Sequence, residues 1–192
     1  MKKYILSLAL ALSCLLALGQ SRIIVDRMDS DVGLRTVATS ELPVRNGMTD
    51  KHPMLVGIIA QLSPRGCEYF LQVAFNELES RAVPFKGVML IRTAAGEVLE
   101  LSNTLQELDS RDFIGSVIQG TGLITYRNTA SYGVTMEQLR AIASGVVKIR
   151  VETASGSFDT IYKKDPFGDA VTAHLAVLLP AISKKNDIKS DF

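Results

Sequence analysis

The sequence predicts a mainly β fold of the α+β class, an antiparallel twisted sheet or β-sandwich of about eight strands with two helices. Three observations predict it. Short runs of Val, Ile, Leu and Thr recur between turn residues along the chain. These runs follow one another in hairpin order, without the regular strand–helix alternation of a parallel sheet. Helical periodicity is confined to a short segment at about 135–144 and a C-terminal amphipathic segment at about 166–183.

The N-terminal residues MKKYILSLALALSCLLALG have the pattern of a secretory signal peptide over 1–19. Lys2 and Lys3 precede an uncharged apolar run, and Ala17 and Gly19 have the spacing of a signal peptidase site. We therefore expect cleavage after Gly19 and an exported chain, periplasmic or secreted. Lipoprotein anchoring at Cys14 is the less favoured alternative, because the apolar run continues beyond this cysteine.

The remaining chain is predicted to form one β-rich domain over 20–183, followed by a polar tail over 184–192. Loss of the two signal lysines lowers the Lys and Arg count from 21 to 19, against 20 Asp and Glu. No basic stripe remains, so nucleic acid is not expected as a partner. We expect no membrane span after signal cleavage. Only Cys67 is left, which excludes an internal disulfide and favours a buried apolar role for this thiol, with intermolecular pairing or a reactive thiol as the alternatives.

The strands of the first two thirds are bounded by turn residues. They are predicted at Ile23–Val25, Leu34–Thr39, Met54–Leu62, Tyr69–Phe75, Val88–Thr93, Val98–Leu101 and, as one or two strands, Val117–Arg127. Polar loops are expected at Pro43–Pro53 and Asn103–Asp112.

The segment VTMEQLRAIASGVVKIRVET, 134–153, changes from helical to strand periodicity. Thr135 and Gln138 have the spacing of a capping box, in which each side chain pairs with a backbone N–H at the helix start. Gly145 fits the position after a helix C-terminus that favours a positive φ. Val147, Ile149 and Val151 then alternate with charged residues, which predicts a strand with one buried face.

A turn at 154–157 is predicted to lead this strand into a partner at Phe158–Lys163. We expect Glu152 to lie opposite Asp159 and Lys148 opposite Lys163, with Arg150 diagonal to Asp159. These five charged residues form the candidate binding site, a polar patch for a partner or a weak cation site. The simpler alternative is a solvated face that discourages edge pairing.

The last helix is predicted from Asp165-Pro166, an N-cap followed by proline at the first helical position. Its apolar stripe consists of Phe167, Val171, Leu175, Leu178 and Ile182. Pro180 is expected to kink or end the helix. We expect this helix to cover an apolar face or plug one open end of the fold.

Signatures of catalysis and metal binding are missing from the sequence. His52 is expected in an exposed loop and His174 at the boundary or in the core, and no motif has metal-ligand spacing. We therefore expect no metal site, no cofactor and no catalytic residue. Pairs of acidic residues, such as Glu77 with Glu79 or Asp109 with Asp112, carry little information in a chain with 20 of them.

The lysine-led signal, the helix motif VTMEQL and the strand GVVKIRVET resemble small exported proteins of Bacteroidetes-type Gram-negative bacteria. The resemblance covers mainly Val134 to Lys164 and implies no activity.

Two functions remain open. The preferred hypothesis is an exported, non-catalytic binding or structural module of the cell envelope, whose partner is a protein or another envelope component. The alternative is a secreted or periplasmic hydrolase whose carboxylates, or Cys67, converge only in the folded chain. A deep pocket with clustered acids, or Cys67 beside a histidine, would favour the hydrolase.

Overall fold

The computed structural model describes residues 20–46, 54–78, 85–104, 112–118, 121–154 and 156–184. Within these ranges the chain is mainly β, as predicted, with two antiparallel sheets and two helices. The strands are β1 (Ile23–Asp29), β2 (Leu34–Thr39), β3 (Leu42–Val44), β4 (Met54–Ser63), β5 (Gly66–Leu78), β6 (Phe85–Thr93), β7 (Val98–Ser102), β8 (Asp112–Ile118), β9 (Thr121–Val134), β10 (Val146–Thr153) and β11 (Gly156–Ile161). The helices are α1 (Met136–Ala143) and α2 (Pro166–Ser183).

The larger sheet has the strand order β1-β2-β4-β5-β9-β8. Strand β3 also pairs with β4, along Met54–Val56, while β2 pairs with β4 along Ile59–Leu62. Strands adjacent in sequence pair as the turn residues predict, for example β4 with β5 around Ser63–Gly66. Two pairs in this sheet join strands that are not consecutive: β2 with β4, which are separated by β3, and β5 with β9, which are separated by β6, β7 and β8.

The smaller sheet has the order β11-β10-β6-β7. It meets the larger sheet just after β7, where Asn103 bridges to Tyr132 and the Thr104 N–H donates to the Ser131 carbonyl at 2.9 Å. Just after β3, the Asn46 side chain donates to the Ile161 carbonyl of β11 at 3.1 Å. Hydrogen bonds therefore join the two sheets after β7 and after β3, in addition to side-chain packing such as that of Phe75 against Phe85.

Helix α1 forms as its sequence predicts. The Thr135 side chain accepts from the Gln138 N–H, and the Gln138 side chain accepts from the Thr135 N–H, completing the capping box. Gly145 follows the helix with a φ of 137°, and a Cβ there would lie 2.8 Å from the Ala94 Cβ. The glycine therefore provides both the chain reversal and the space for the turn between β6 and β7.

Helix α2 packs on the larger sheet, against β2, β3 and β4, and also against α1. Asp165 caps its N-terminus by accepting from the Gly168 N–H at 2.8 Å. Phe167, Val171 and Leu178 of the predicted stripe are fully buried. Pro180 lies inside the helix, which continues to Ser183, so the proline does not mark its end.

By length and composition α2 could cross a membrane, with 18 residues and a mean hydropathy of 1.2. Core helices share these properties, and the side chains of α2 join those of both sheets and α1 in one apolar core.

Several sequence predictions need correction. The described ranges contain eleven strands rather than about eight, because β3 and the start of β8 fall in segments expected as loops. Strand β9 also continues to Val134, through the alternating residues 128–134, which were not assigned to a strand. Cys67 is exposed rather than buried.

Other predictions fall outside the described residues. They concern the signal peptide 1–19 with Cys14, the loop residues 47–53 with His52, Asp109, and the tail from 185 onward. Nothing is described for the side chains of Glu77, Glu79 and Asp112 either.

Candidate functional site

The predicted charged face lies on the outer side of the smaller sheet, opposite the side that joins the core. Strand alternation buries Ile149 and Val151 of β10 and directs Lys148 and Arg150 outward. Lys148 lies between Ile161 of β11 and Arg92 of β6. Lysine and arginine are therefore direct cross-strand neighbours, an arrangement that is unfavourable for like charges.

Exposed apolar side chains flank these two cations. Ile161 is 62% exposed on one side, and Val98 of β7, which pairs with Arg92, is 52% exposed on the other. We call this line of side chains the basic row; it consists of Ile161, Lys148, Arg92 and Val98.

Two residues further along β10, on the same face, Arg150 forms an ion pair with Asp159 of β11. Arg150 binds Asp159 with two hydrogen bonds, Nε to Oδ1 at 2.6 Å and Nη2 to Oδ2 at 2.9 Å. Lys148 reaches the same carboxylate, with Nζ 2.5 Å from Oδ2. The hydrogen bonds from these two cations hold the pKa of Asp159 well below its usual range. Asp159 thus stays ionised and partly neutralises both cations.

The hairpin register differs by two residues from the prediction. Arg150 lies directly opposite Asp159, and Glu152 lies opposite Ser157. The strands turn between Thr153 and Gly156, so the turn lies one residue earlier in the chain than the Ser155-Gly156 loop expected. A shift of two residues preserves the faces, so the outward orientation of Arg150 and Asp159 is unchanged while their pairing changes.

Glu152 and Lys163 do not join this cluster. The carboxylate of Glu152 lies beside Gly87, and Oε2 accepts from the Val88 N–H at 3.4 Å. Lys163 follows the end of β11 and is exposed. The structure therefore brings together three of the five predicted residues: Lys148, Arg150 and Asp159.

A shallow groove of about 150 Å³ runs between β10, β6 and β7. It is lined by Leu90, Arg92, Val98, Lys148 and Arg150. Arg92 was missed in the sequence analysis because its strand pairs with β10 only in the folded chain. Its outward position could have been inferred from the alternation of β6, but its proximity to Lys148 could not.

A larger open groove of about 630 Å³ lies where β5 begins and β9 leads into α1. Its lining includes Cys67, Glu68, Tyr69, Thr104 and Glu137. The Glu137 side chain accepts from its own backbone N–H and from Thr135, which lowers its pKa. The acidic side chain thus occupies the helix N-terminus, where an external anion would otherwise bind.

The groups in this groove do not match those of a hydrolase. Burial and the neighbouring Cys67 raise the pKa of Tyr69 to about 12, so its hydroxyl remains protonated. A general acid at neutral pH needs a carboxyl with a raised pKa, whereas that of Glu137 is lowered. Among the described residues, the lining of the groove contains no histidine beside Cys67.

His174 is a core residue, within the range of the sequence prediction. It is fully buried, with Nε2 2.9 Å from the Val56 carbonyl and Nδ1 2.7 Å from the Ser21 hydroxyl. The carbonyl can only accept, so Nε2 donates and Nδ1 accepts from Ser21. Burial lowers the pKa of His174 to about 4 and keeps the ring neutral. Both ring nitrogens are therefore used in holding α2 to β4 and to the start of β1.

Among the described residues, no group of three or more His, Cys, Asp and Glu side chains could hold a metal ion. The fold and its surfaces define a mainly β, sandwich-like protein with a charged outer face. No family model, curated protein or solved structure matches the chain.

Proposed function

We propose that this chain is an exported, non-catalytic binding module of the cell envelope, with the outer face of its smaller sheet as the contact surface. The observation that carries the proposal is the groove lined by Leu90, Arg92, Val98, Lys148 and Arg150. It combines guanidinium and ammonium groups with exposed apolar side chains, a combination that suits a protein partner or another envelope component.

Export rests on the lysine-led apolar segment at the N-terminus and its small residues before Gln20. The proposed location is the periplasm or the extracellular space. Mass spectrometry of the mature chain from its host tests this step. A chain beginning at Gln20 is expected, and a lipid-modified Cys14 would contradict it.

The contact surface is tested by mild cross-linking in the native envelope, followed by co-purification of the tagged chain. Arg150→Ala is expected to lose the cross-linked partner, because it removes the guanidinium at the centre of the face. Lys163→Ala is the matched control, since Lys163 is an exposed cation just past β11 that does not line the groove.

Thermal melting separates loss of contact from loss of fold. We expect Arg150→Ala to have the same melting temperature as the unchanged chain, because an exposed ion pair contributes little to stability. Equal partner loss in both variants, or a melting shift that accompanies the loss in Arg150→Ala, would overturn the assignment of this face.

A further inference from the structure

The outer face of the smaller sheet has a complementary surface on the same chain. The turn between β1 and β2 carries two exposed carboxylates, Asp29 and Asp31, next to Val32, which is 66% exposed. We call Asp29–Val32 the acidic tip. It presents two anions beside an apolar side chain, whereas the basic row presents two cations between apolar side chains.

A hydrogen bond and a glycine shape the turn of the acidic tip. The Asp31 N–H donates to Asp29 Oδ1 at 3.1 Å, which closes the turn. Gly33 follows with a φ of 65°, and a Cβ there would meet the ring of Pro64 at 3.8 Å. A turn that is ordered before contact loses less conformational entropy on binding.

The basic row has positive charge that its own neighbours do not neutralise. Lys148 shares the single carboxylate of Asp159 with Arg150, and Arg92 forms no ion pair in the described part of the chain. Glu100 lies in the next line, opposite Leu90, and therefore diagonal to Arg92. An incoming pair of carboxylates would relieve the direct Lys148–Arg92 opposition.

We propose that the acidic tip of one copy docks on the basic row of a second copy. This rests on the proposed function, because it gives that contact surface a partner. Carboxylates of Asp29 and Asp31 would meet Arg92 and Lys148, and Val32 would lie against Val98. The full chain has a formal net charge of only +1, so general repulsion between copies is weak.

Each copy carries both surfaces, because β1 and β2 pack mainly with each other, β4 and α2 in the described part of the chain. Two copies that exchange both contacts, each tip on the other's row, close as a two-fold dimer. A contact made in one direction only leaves a tip and a row unused, and assembly then continues into a ring or filament.

Sedimentation velocity of the purified mature chain at low salt tests the contact. The unchanged chain is expected to form dimers or larger species, whose fraction grows with concentration and falls with added NaCl. Asp31→Lys and Arg92→Glu should each weaken association by roughly tenfold or more, because like charges then meet. Arg92 has no described ion pair, so its replacement leaves the internal contacts of the face in place.

Mixing the two variants gives the decisive measurement. The reversed charges then face each other, so an equimolar mixture should regain association that neither variant shows alone. A monomeric unchanged chain, variants that associate normally, or a mixture that stays monomeric would each overturn the inference. The proposed function fails by a different result, a cross-linked envelope partner that does not depend on Arg150.

Discussion

Two arginine–aspartate pairs with the same hydrogen bonds lie in different sheets of this molecule. Asp26 with Arg35, and Arg150 with Asp159, each span nine positions of a hairpin and each form two hydrogen bonds through Nε and Nη2. The Arg35 side chain is only 8% exposed, against 45% for Arg150. The same pair is therefore placed in two very different environments.

Arg35 and Asp26, which we call the inner pair, have additional partners; Arg150 and Asp159 form the outer pair. Arg35 donates from Nη1 to the Lys184 carbonyl at 2.9 Å and from Nη2 to the Ala181 carbonyl at 3.1 Å. These carbonyls belong to the C-terminal end of α2, where backbone acceptors lack helical partners and a cation is favourable. The inner pair thus fixes α2 on the larger sheet. The outer pair leaves Arg150 in the lining of a groove. This position suits binding of a partner rather than stabilisation of the fold.

The largest expected effect concerns His174, the other polar side chain that fixes α2. Its pKa is about 4 in the folded chain and near 6.5 when unfolded, so the unfolded state binds more protons between these values. The contribution of neutral His174 to the free energy of unfolding is fully present above pH 6.5. It is lost as the pH decreases toward 4, by on the order of 3 kcal/mol in total. Urea unfolding at pH 7.5 and 4.5 measures this loss.

His174→Gln is the control, because glutamine can donate to the Val56 carbonyl but does not titrate in this range. Its unfolding free energy should change less between the two pH values than that of the unchanged chain. An equal change in the unfolding free energy of both chains would show that the acid sensitivity comes from groups other than His174.

The next effect distinguishes the two arginines directly. Arg35→Ala removes the bonds to Asp26, Ala181 and Lys184, and is expected to lower the unfolding free energy by about 2 kcal/mol. Arg150→Ala should leave it unchanged within error, because its site is open to water. Urea denaturation of both variants at pH 7 measures the difference. Equal losses would contradict the division into a supporting and a contact pair.

The smallest effect concerns the acid dependence of the inner pair. Hydrogen bonds from Arg35 lower the pKa of Asp26 below 3.8, so its contribution is present above that pH and is lost as the pH falls through the lowered value. Asp26→Asn should therefore flatten the decline in melting temperature between pH 4 and 2. The comparison is made in the His174→Gln background, and a decline of unchanged slope would contradict this role.

The sequence predicted both helices and their caps because these depend on neighbouring residues, such as Thr135 with Gln138 and Asp165 with Pro166. The outward and inward faces of β10 from Lys148 to Val151 were also predictable, since alternation is local. Val147 was wrongly predicted on the buried face: it is 42% exposed, because the pairing with β6 is irregular between Val146 and Lys148. The register was wrong because a two-residue shift preserves every face, and only the position of the turn distinguishes the alternatives.

Other features depend on contacts between distant segments. Arg92 joins Lys148 only because β6 pairs with β10, and β9 extends to Val134 because Tyr69–Leu78 provides a partner along its length. Cys67 is exposed because it lies at the start of β5, in the lining of an open groove. No local pattern distinguishes such a position from the buried one expected.

The pairing of β5 with β9 also has a kinetic consequence. Tyr69 pairs with Val134 and Leu78 with Thr125, so the chain from β6 through β8 must form a closed loop before this ladder is complete. Closing a long loop has an entropic cost before any contact compensates it, and such topologies fold slowly. Until β9 pairs with β5, one edge of β5 has unpaired backbone groups that another chain can bind. A newly synthesised chain therefore passes through a period in which it is most prone to aggregation.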